Sequence, residues 1–265
     1  MGPRYSDIGA AQALVRAGAK SLVISSPSTI ADYSNGGVEL VAKAAGIPYK
    51  GFGENLPLTD PSSIIQKLIQ AAGPGGGVIL NYTPESATPL MKAAAALGVV
   101  DKVKWGSSTP VADESIAAQN PAFEGKIFIN SEFGLLTATG PDMTLYRQIT
   151  AKYAPNIPIQ SFGQMGYLVG KFVTTALLNV KGAVTATSYN KAVRGLKNEK
   201  SDILCKPWYF GNALPYHIPN NTDITVTYKG GKVVQSDPCI PIQAVDPQLV
   251  QTRKWETQFK LNTAK

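Results

Sequence analysis

The chain is poor in the residues that most catalysis and metal binding draw on. Histidine occurs once, at position 217, and cysteine twice, at 205 and 239. A His-based triad or metal site therefore has to use His217, and these two cysteines form neither a zinc-finger spacing nor a CxxC pair. Charged residues are 16% of the chain, too few for a disordered one, and apolar residues are 44%, enough for a core. No apolar run approaches the ~18–20 residues of a membrane span. The opening Met1-Gly2-Pro3-Arg4-Tyr5 carries no apolar core of the kind a secretory leader has. A Gly-x-Ser-x-Gly nucleophile elbow is missing as well. The glycine run Gly73-Pro74-Gly75-Gly76-Gly77 follows a helix and precedes a strand, the reverse of a phosphate loop, and lacks a Gly-Lys-Ser/Thr ending. It reads as a connecting loop, and His217 as a loop or edge histidine.

What is present is rhythm. At 265 residues, the length predicts one large or two small domains, at ~150 residues each. Residues 1–106 alternate helix and strand. Ile8 to Ala17 is amphipathic, and Ser21-Leu22-Val23-Ile24-Ser25 is a short β-rich run. Ile30, Tyr33, Val38, Val41 and Ala45 mark one face of a helix that Gly46 ends and Pro48 keeps from continuing. Tyr49 to Gly53 reads as a strand. Asp60-Pro61-Ser62 reads as a capped helix start before Ile64, Ile65, Leu68 and Ile69. Val78 to Tyr82 is the next strand, Thr83-Pro84-Glu85 opens another helix, and Lys102 to Gly106 is a fourth strand. This order predicts an α/β fold with a parallel βαβ sheet, whose strand C-termini share the edge where ligands bind.

Beyond 107 the rhythm loosens. Lys126 to Asn130 is a predicted strand and Met143 to Tyr153 a helix. Phe162 to Val180 is a long helix, apolar nearly all round and so expected to lie buried between layers. Tyr189 to Leu196 is another helix. Trp208-Tyr209-Phe210 and Ile224 to Tyr228 read as β, with Lys229-Gly230-Gly231-Lys232 a hairpin turn before Val233-Val234-Gln235. Val245 to Leu261 closes the chain as a helix.

Charge is uneven along this order. Residues 1–140 carry 10 Lys/Arg against 11 Asp/Glu, and residues 141–265 carry 15 against 7. A basic half suits nucleic acid, an anionic surface or an acidic partner. No helix-turn-helix, RNP-type or Arg-rich signature points to nucleic acid, and Lys191, Arg194 and Lys197 at helical spacing read first as a solvated face. Cys205 and Cys239 bracket the late β region. They pair in an oxidising compartment or stand as two thiols. Tyr33 and Tyr82 both fall on the strand-end edge, and Phe162 opens the long apolar helix. Core packing explains any one aromatic, whereas two on one edge point to a ligand.

The ordered set of segments resembles a known family. It runs Lys20-Ser21-Leu22-Val23-Ile24, Ala31-Asp32-Tyr33-Ser34-Asn35-Gly36, Val78-Ile79-Leu80-Asn81-Tyr82-Thr83-Pro84-Glu85 and Ala95-Ala96-Leu97-Gly98. Val103-Lys104-Trp105-Gly106-Ser107-Ser108 and Phe123-Glu124-Gly125-Lys126-Ile127 follow. Over nearly its whole length the chain is similar to the type I periplasmic solute-binding proteins of ABC transporters, the Leu/Ile/Val-binding family. The resemblance implies a non-enzymatic, periplasmic or extracytoplasmic substrate-binding component of an ABC importer. Such a protein binds a small amino-acid-like solute, or a hydrophobic or aromatic carboxylate or amide, and delivers it to a membrane permease. It meets the membrane only through that permease and needs no nucleic acid, cofactor or metal.

The family's ligand aromatics match Tyr33, Tyr82 and Phe162. Ser108 stands where the family tends to place an acid for the ligand ammonium, with Asp113 or Glu114 as possible substitutes. The implied compartment favours a Cys205–Cys239 disulfide. Residues 1–141 and 204–265 match the second lobe. Residues 142–203 match the return into a first lobe that is mostly absent, so the chain is expected to be a truncated binding protein with an exposed apolar patch. The alternative is the ligand-sensing domain of a regulator with the same fold.

Overall fold

The structure is a computed structural model that describes residues 3–210, 222–242 and 245–261. Contacts divide it into two units. The sheet unit comprises Gly2–Glu132 and Asp223–Asp246, and the helical unit Phe133–Thr222 and Pro247–Lys265.

The sheet unit contains α1 (Pro3–Arg16), β1 (Leu22–Pro27), α2 (Ala31–Ala45), β2 (Tyr49–Glu54), α3 (Pro61–Ala72) and β3 (Gly77–Leu80). α4 (Pro84–Ala96), β4 (Lys104–Ser107), α5 (Glu114–Gln119), β5 (Ile127–Ser131), β6 (Thr222–Lys229) and β7 (Lys232–Pro241) follow. The strands form one sheet in the order β2-β1-β3-β4-β5-β6-β7. The first five run parallel, and β6 pairs antiparallel with β5. The expected α/β architecture is therefore present, with a mixed edge. Gly230 and Gly231, at φ +60° and +70°, make the tight β6–β7 turn, which needs two left-handed residues.

Local signals explain the helix limits. Asp60 caps α3 by accepting from the Ser63 N–H at 3.0 Å, with Pro61 in the first turn. Gly46 ends α2 in the left-handed conformation, at φ +67°. The glycine run after α3 is a connection, as read. α1 lies on β3, β4 and β5 beside α2. Leu14 reaches the sheet because Gly77 and Gly106 leave room: a Cβ at either would stand 2.9 Å from its Cδ1. α1 precedes β1 and runs against the strands, so its first turn reaches their C-terminal ends. There the Asn130 amide donates to Ser6 Oγ at 3.3 Å.

The helical unit holds α6 (Pro141–Tyr153), α7 (Ser161–Leu178), α8 (Ala186–Arg194) and α9 (Pro247–Phe259). Met143, Tyr146, Leu168, Phe172, Ala176, Leu196 and Ile203 form a core of its own, with Trp208 stacked on Phe172 at 4.6 Å. α7 is apolar nearly all round but not buried all round, which leaves the exposed apolar patch expected of this chain. One stripe is buried, and Phe162, Met165, Val169, Val173, Leu177 and Leu178 are exposed. Trp208 to Phe210 form no strand. Trp208 makes a single antiparallel bridge with Glu199, because its ring is committed to Phe172.

Further ties run within the helical unit. Gly134 is tied to Ile203 and Gln164, at 2.7 and 3.0 Å, and the Tyr209 hydroxyl holds Glu256 of α9 at 2.5 Å. Cys205 and Cys239 are both disulfide-bonded. No helix among the described residues is long and apolar enough to cross a membrane. His217 lies outside the described residues.

Candidate functional site

The C-terminal edge of the parallel strands carries a row of small polar side chains. Ser25 and Ser26 lie near the end of β1, Asn81 and Tyr82 follow β3, Ser107 ends β4 and Ser108 follows it; all six are buried. They satisfy one another across the strands. Ser26 Oγ donates to Asn35 Oδ1 at 2.9 Å, the Asn81 amide donates to Ser26 Oγ at 3.3 Å, and Ser108 Oγ donates to Asn81 Oδ1 at 3.3 Å. The Ser25 and Tyr82 hydroxyls share a 2.6 Å hydrogen bond. Burial pushes the Tyr82 phenol up to about 12, against an opposing pull from Ser25.

Tyr33 stands at the same edge, in the first turn of α2, and is 47% exposed. It therefore lies off the buried stripe on which its spacing places it. Arg4 organises its surroundings. The guanidinium donates to Asp246 at 2.7 Å and to the Tyr33 carbonyl at 2.7 Å, and lies 5.6 Å from the Tyr33 ring centroid. Burial, then the neighbouring Tyr33, push the Tyr5 phenol up.

Behind this edge sit two buried carboxyls, Asp7 and Asp223, and the partly buried Glu132. Neither Asp7 oxygen has a hydrogen-bond partner among the described residues. Burial, reinforced by the charge of Glu132, holds the Asp7 carboxyl well above its usual range, against a smaller pull from the Ser34 hydroxyl. Asp223 accepts from the Asn130 amide at 2.7 Å and is raised in the same way, by burial first and then by Glu132. Burial raises Glu132 too. Asn130 fits there because residue 9 is glycine; a Cβ on it would stand 2.0 Å from Asn130 Oδ1. Among the described residues no group of three His, Cys, Asp or Glu side chains is arranged to hold a metal.

Of the residues read from sequence, Tyr82 bonds to Ser25, Ser108 bonds to Asn81, and Tyr33 shares their strand-end edge. Phe162 belongs to the helical unit, in the first turn of α7, and is exposed. Asp113 is committed as the N-cap of α5, accepting from the Ser115 N–H and hydroxyl at 2.8 and 2.7 Å, which leaves it a poor substitute for a ligand acid. Sequence reasoning missed Arg4, Tyr5, Asn35 and Asn81. The signal for Asn81 was available, as a polar residue ending an otherwise apolar strand. The others depend on how α1 docks. Chemically, the row offers neutral hydroxyl and amide groups. Its serines bond to amides, a phenol and a backbone carbonyl.

A family model described as periplasmic binding protein matches residues 5–231. The chain belongs to the periplasmic binding protein family. Solved structures agree on the fold. A fatty acid ABC transporter substrate-binding protein from Thermomonospora curvata superposes with a TM-score of 0.77 at 17% identity, over 92% of this chain and 64% of that one. A branched-chain amino acid ABC transporter protein from Thermus thermophilus, with bound valine, gives 0.74 at 14% identity, over 97% and 68%. A solute-binding protein from R. palustris in complex with benzoate gives 0.72 at 18%, over 91% and 65%. The chain thus spans about two-thirds of the length of these relatives. No curated protein sequence matches it.

Proposed function

We propose that this chain is the solute-binding component of an ABC importer, acting outside the cytoplasm and delivering a small solute to a membrane permease. Family membership supports the class, and the strand-end row of Ser26, Asn81, Ser108 and Tyr82, beside the exposed ring of Tyr33, supports the site. The row has the hydrogen-bonding character that orients a carboxylate or amide, and aromatic rings cover a solute's apolar part. Because Ser108 replaces an acid, a hydrophobic or aromatic carboxylate or an amide suits the site at least as well as a free amino acid. The oxidised state of Cys205 and Cys239 supports an oxidising compartment. The work is binding, not catalysis.

Residues 142–203 are assigned to the first lobe of the family fold, a reading supported by the bare outer stripes of α6 and α7. Thermal-shift screening of the full-length protein tests the function. Branched-chain amino acids, alkanoates, benzoates and their amides form the panel. At least one class raises the midpoint in a saturable way, as ligand linkage requires. A panel with no effect at millimolar concentration counts against the reading.

A further inference from the structure

A groove of about 980 Å³ opens in the helical unit between α8 and the end of α9, and the solute reading makes no use of it. One wall is cationic, with Lys191 and Arg194 in the last turn of α8 and Lys197 just beyond it. The other side is apolar, formed by Trp255, Phe259 and Leu261. Both sides are held in place. A capping box between Thr185 and Ser188 fixes the start of α8. Arg194 donates to Asn190 Oδ1 at 2.7 Å and lies 5.7 Å from the Phe210 ring centroid. Trp255 and Phe259, one turn apart, have ring centroids 5.4 Å apart, and Tyr209 braces Trp255 at 5.5 Å.

Among the described residues no carboxylate lines the groove. Glu256 beside it on α9 is engaged by the Tyr209 hydroxyl. Among the described residues no acid pairs with Lys191 or Lys197. The wider field has the same sign. The helical unit carries 13 Lys/Arg against 4 Asp/Glu, and the sheet unit 12 against 14.

We propose that this groove is a second binding site, separate from the strand-end row, for an amphiphilic organic anion. Its flat aromatic or alkyl body lies on Trp255 and Phe259, and its carboxylate meets Lys191, Arg194 and Lys197. A cationic wall alone selects inorganic anions, and an apolar wall alone selects neutral molecules. The two together select a molecule with both ends. The volume is at the upper end of the range for small-molecule sites, about 300–1,000 Å³.

The test is titration with 2-naphthoate, followed by tryptophan fluorescence and calorimetry. Saturable binding with a submillimolar Kd is expected. The neutral alcohol 2-naphthylmethanol binds at least tenfold more weakly. So does 2-naphthoate to Lys191→Glu/Arg194→Glu, checked for an unchanged thermal midpoint. If that variant fails to fold, Lys191→Gln/Lys197→Gln gives a severalfold loss. Tyr33→Ala leaves unchanged the binding event that the charge variants weaken, which separates this groove from any binding of the same carboxylate at the strand-end site. The assignment is overturned by no saturation at millimolar concentration, by the absence of any event weakened in the neutral analogue and the charge variants, or by loss of that event in Tyr33→Ala. It is also overturned if a glutamate-rich peptide displaces 2-naphthoate at lower concentration, which would make the groove a protein-docking surface.

Discussion

The two units treat the same kind of helix differently. In the sheet unit α3 buries Ile64, Ile65 and Leu68 and turns its polar residues outward, and α2 buries Val38 and Val41 on the same face as Ser34 and Asn35. In the helical unit α6 buries Met143 and Tyr146, yet leaves Leu145, Ile149 and Tyr153 exposed. α7 buries Leu168, Phe172 and Ala176, yet exposes Phe162, Met165, Val169, Val173 and Leu177 at spacings of three and four. A stripe with that period is the signature of a face that packs. α2 and α3 each carry one apolar face. α6 and α7 carry apolar residues for two neighbours, and the described residues supply one.

Paired truncations break or sharpen this contrast most strongly. Leu68→Ala, fully buried in the sheet unit, costs about 2–5 kcal/mol of stability. Val169→Ala, 57% exposed, changes it by no more than about 0.5 kcal/mol in this chain. Urea unfolding followed by circular dichroism reads both, and equal losses would show that the outer stripe of α7 is covered. Next in size is the disulfide. Opening the 34-residue link between Cys205 and Cys239 removes about 4 kcal/mol in the chain-entropy model. Unfolding with and without reductant measures it, and superimposable curves would remove the bond from the account.

Smallest is a pH effect confined to the sheet unit. Asp7, Asp223 and Glu132 are raised in the folded state, chiefly by burial. Folding therefore retains protons that the unfolded chain releases above about pH 4. Their contribution is complete below that pH and declines as pH rises toward the folded values. The thermal midpoint should fall between pH 5 and pH 8, and Asp7→Asn should flatten that fall. A midpoint that rises over this interval in the parent protein contradicts the assignment.

Much of the sheet unit was legible because each signal was local. Asp60-Pro61, Gly46 and Gly230-Gly231 punctuate the chain wherever they occur, and the parallel order follows from strand and helix alternation. For α7, periodicity reports how many faces are apolar, while burial depends on what is present to cover them; the exposed patch was legible in sequence, but which stripe stays buried was not. Trp208 to Phe210 carry strand-like residues whose rings were claimed by Phe172 and Trp255 instead. At the candidate site the strand-end aromatics were visible in sequence. The hydrogen-bonded row was less so, since Ser26, Asn35, Asn81 and Ser108 meet only when the strands are in register. Arg4 was invisible in that role, because its partner Asp246 lies 242 positions away.

The central claim is that solute binds at the strand-end edge of the sheet unit, with Tyr33 against its apolar part. Calorimetric titration of the full-length protein and its Tyr33→Ala variant, using whichever solute class the thermal screen selects, tests this directly. The ring is half exposed and makes little contribution to the core, so the variant should fold as the parent does. The account predicts a loss of about 1–3 kcal/mol in binding free energy, the scale of one aromatic contact. An unchanged affinity in a folded variant would contradict it.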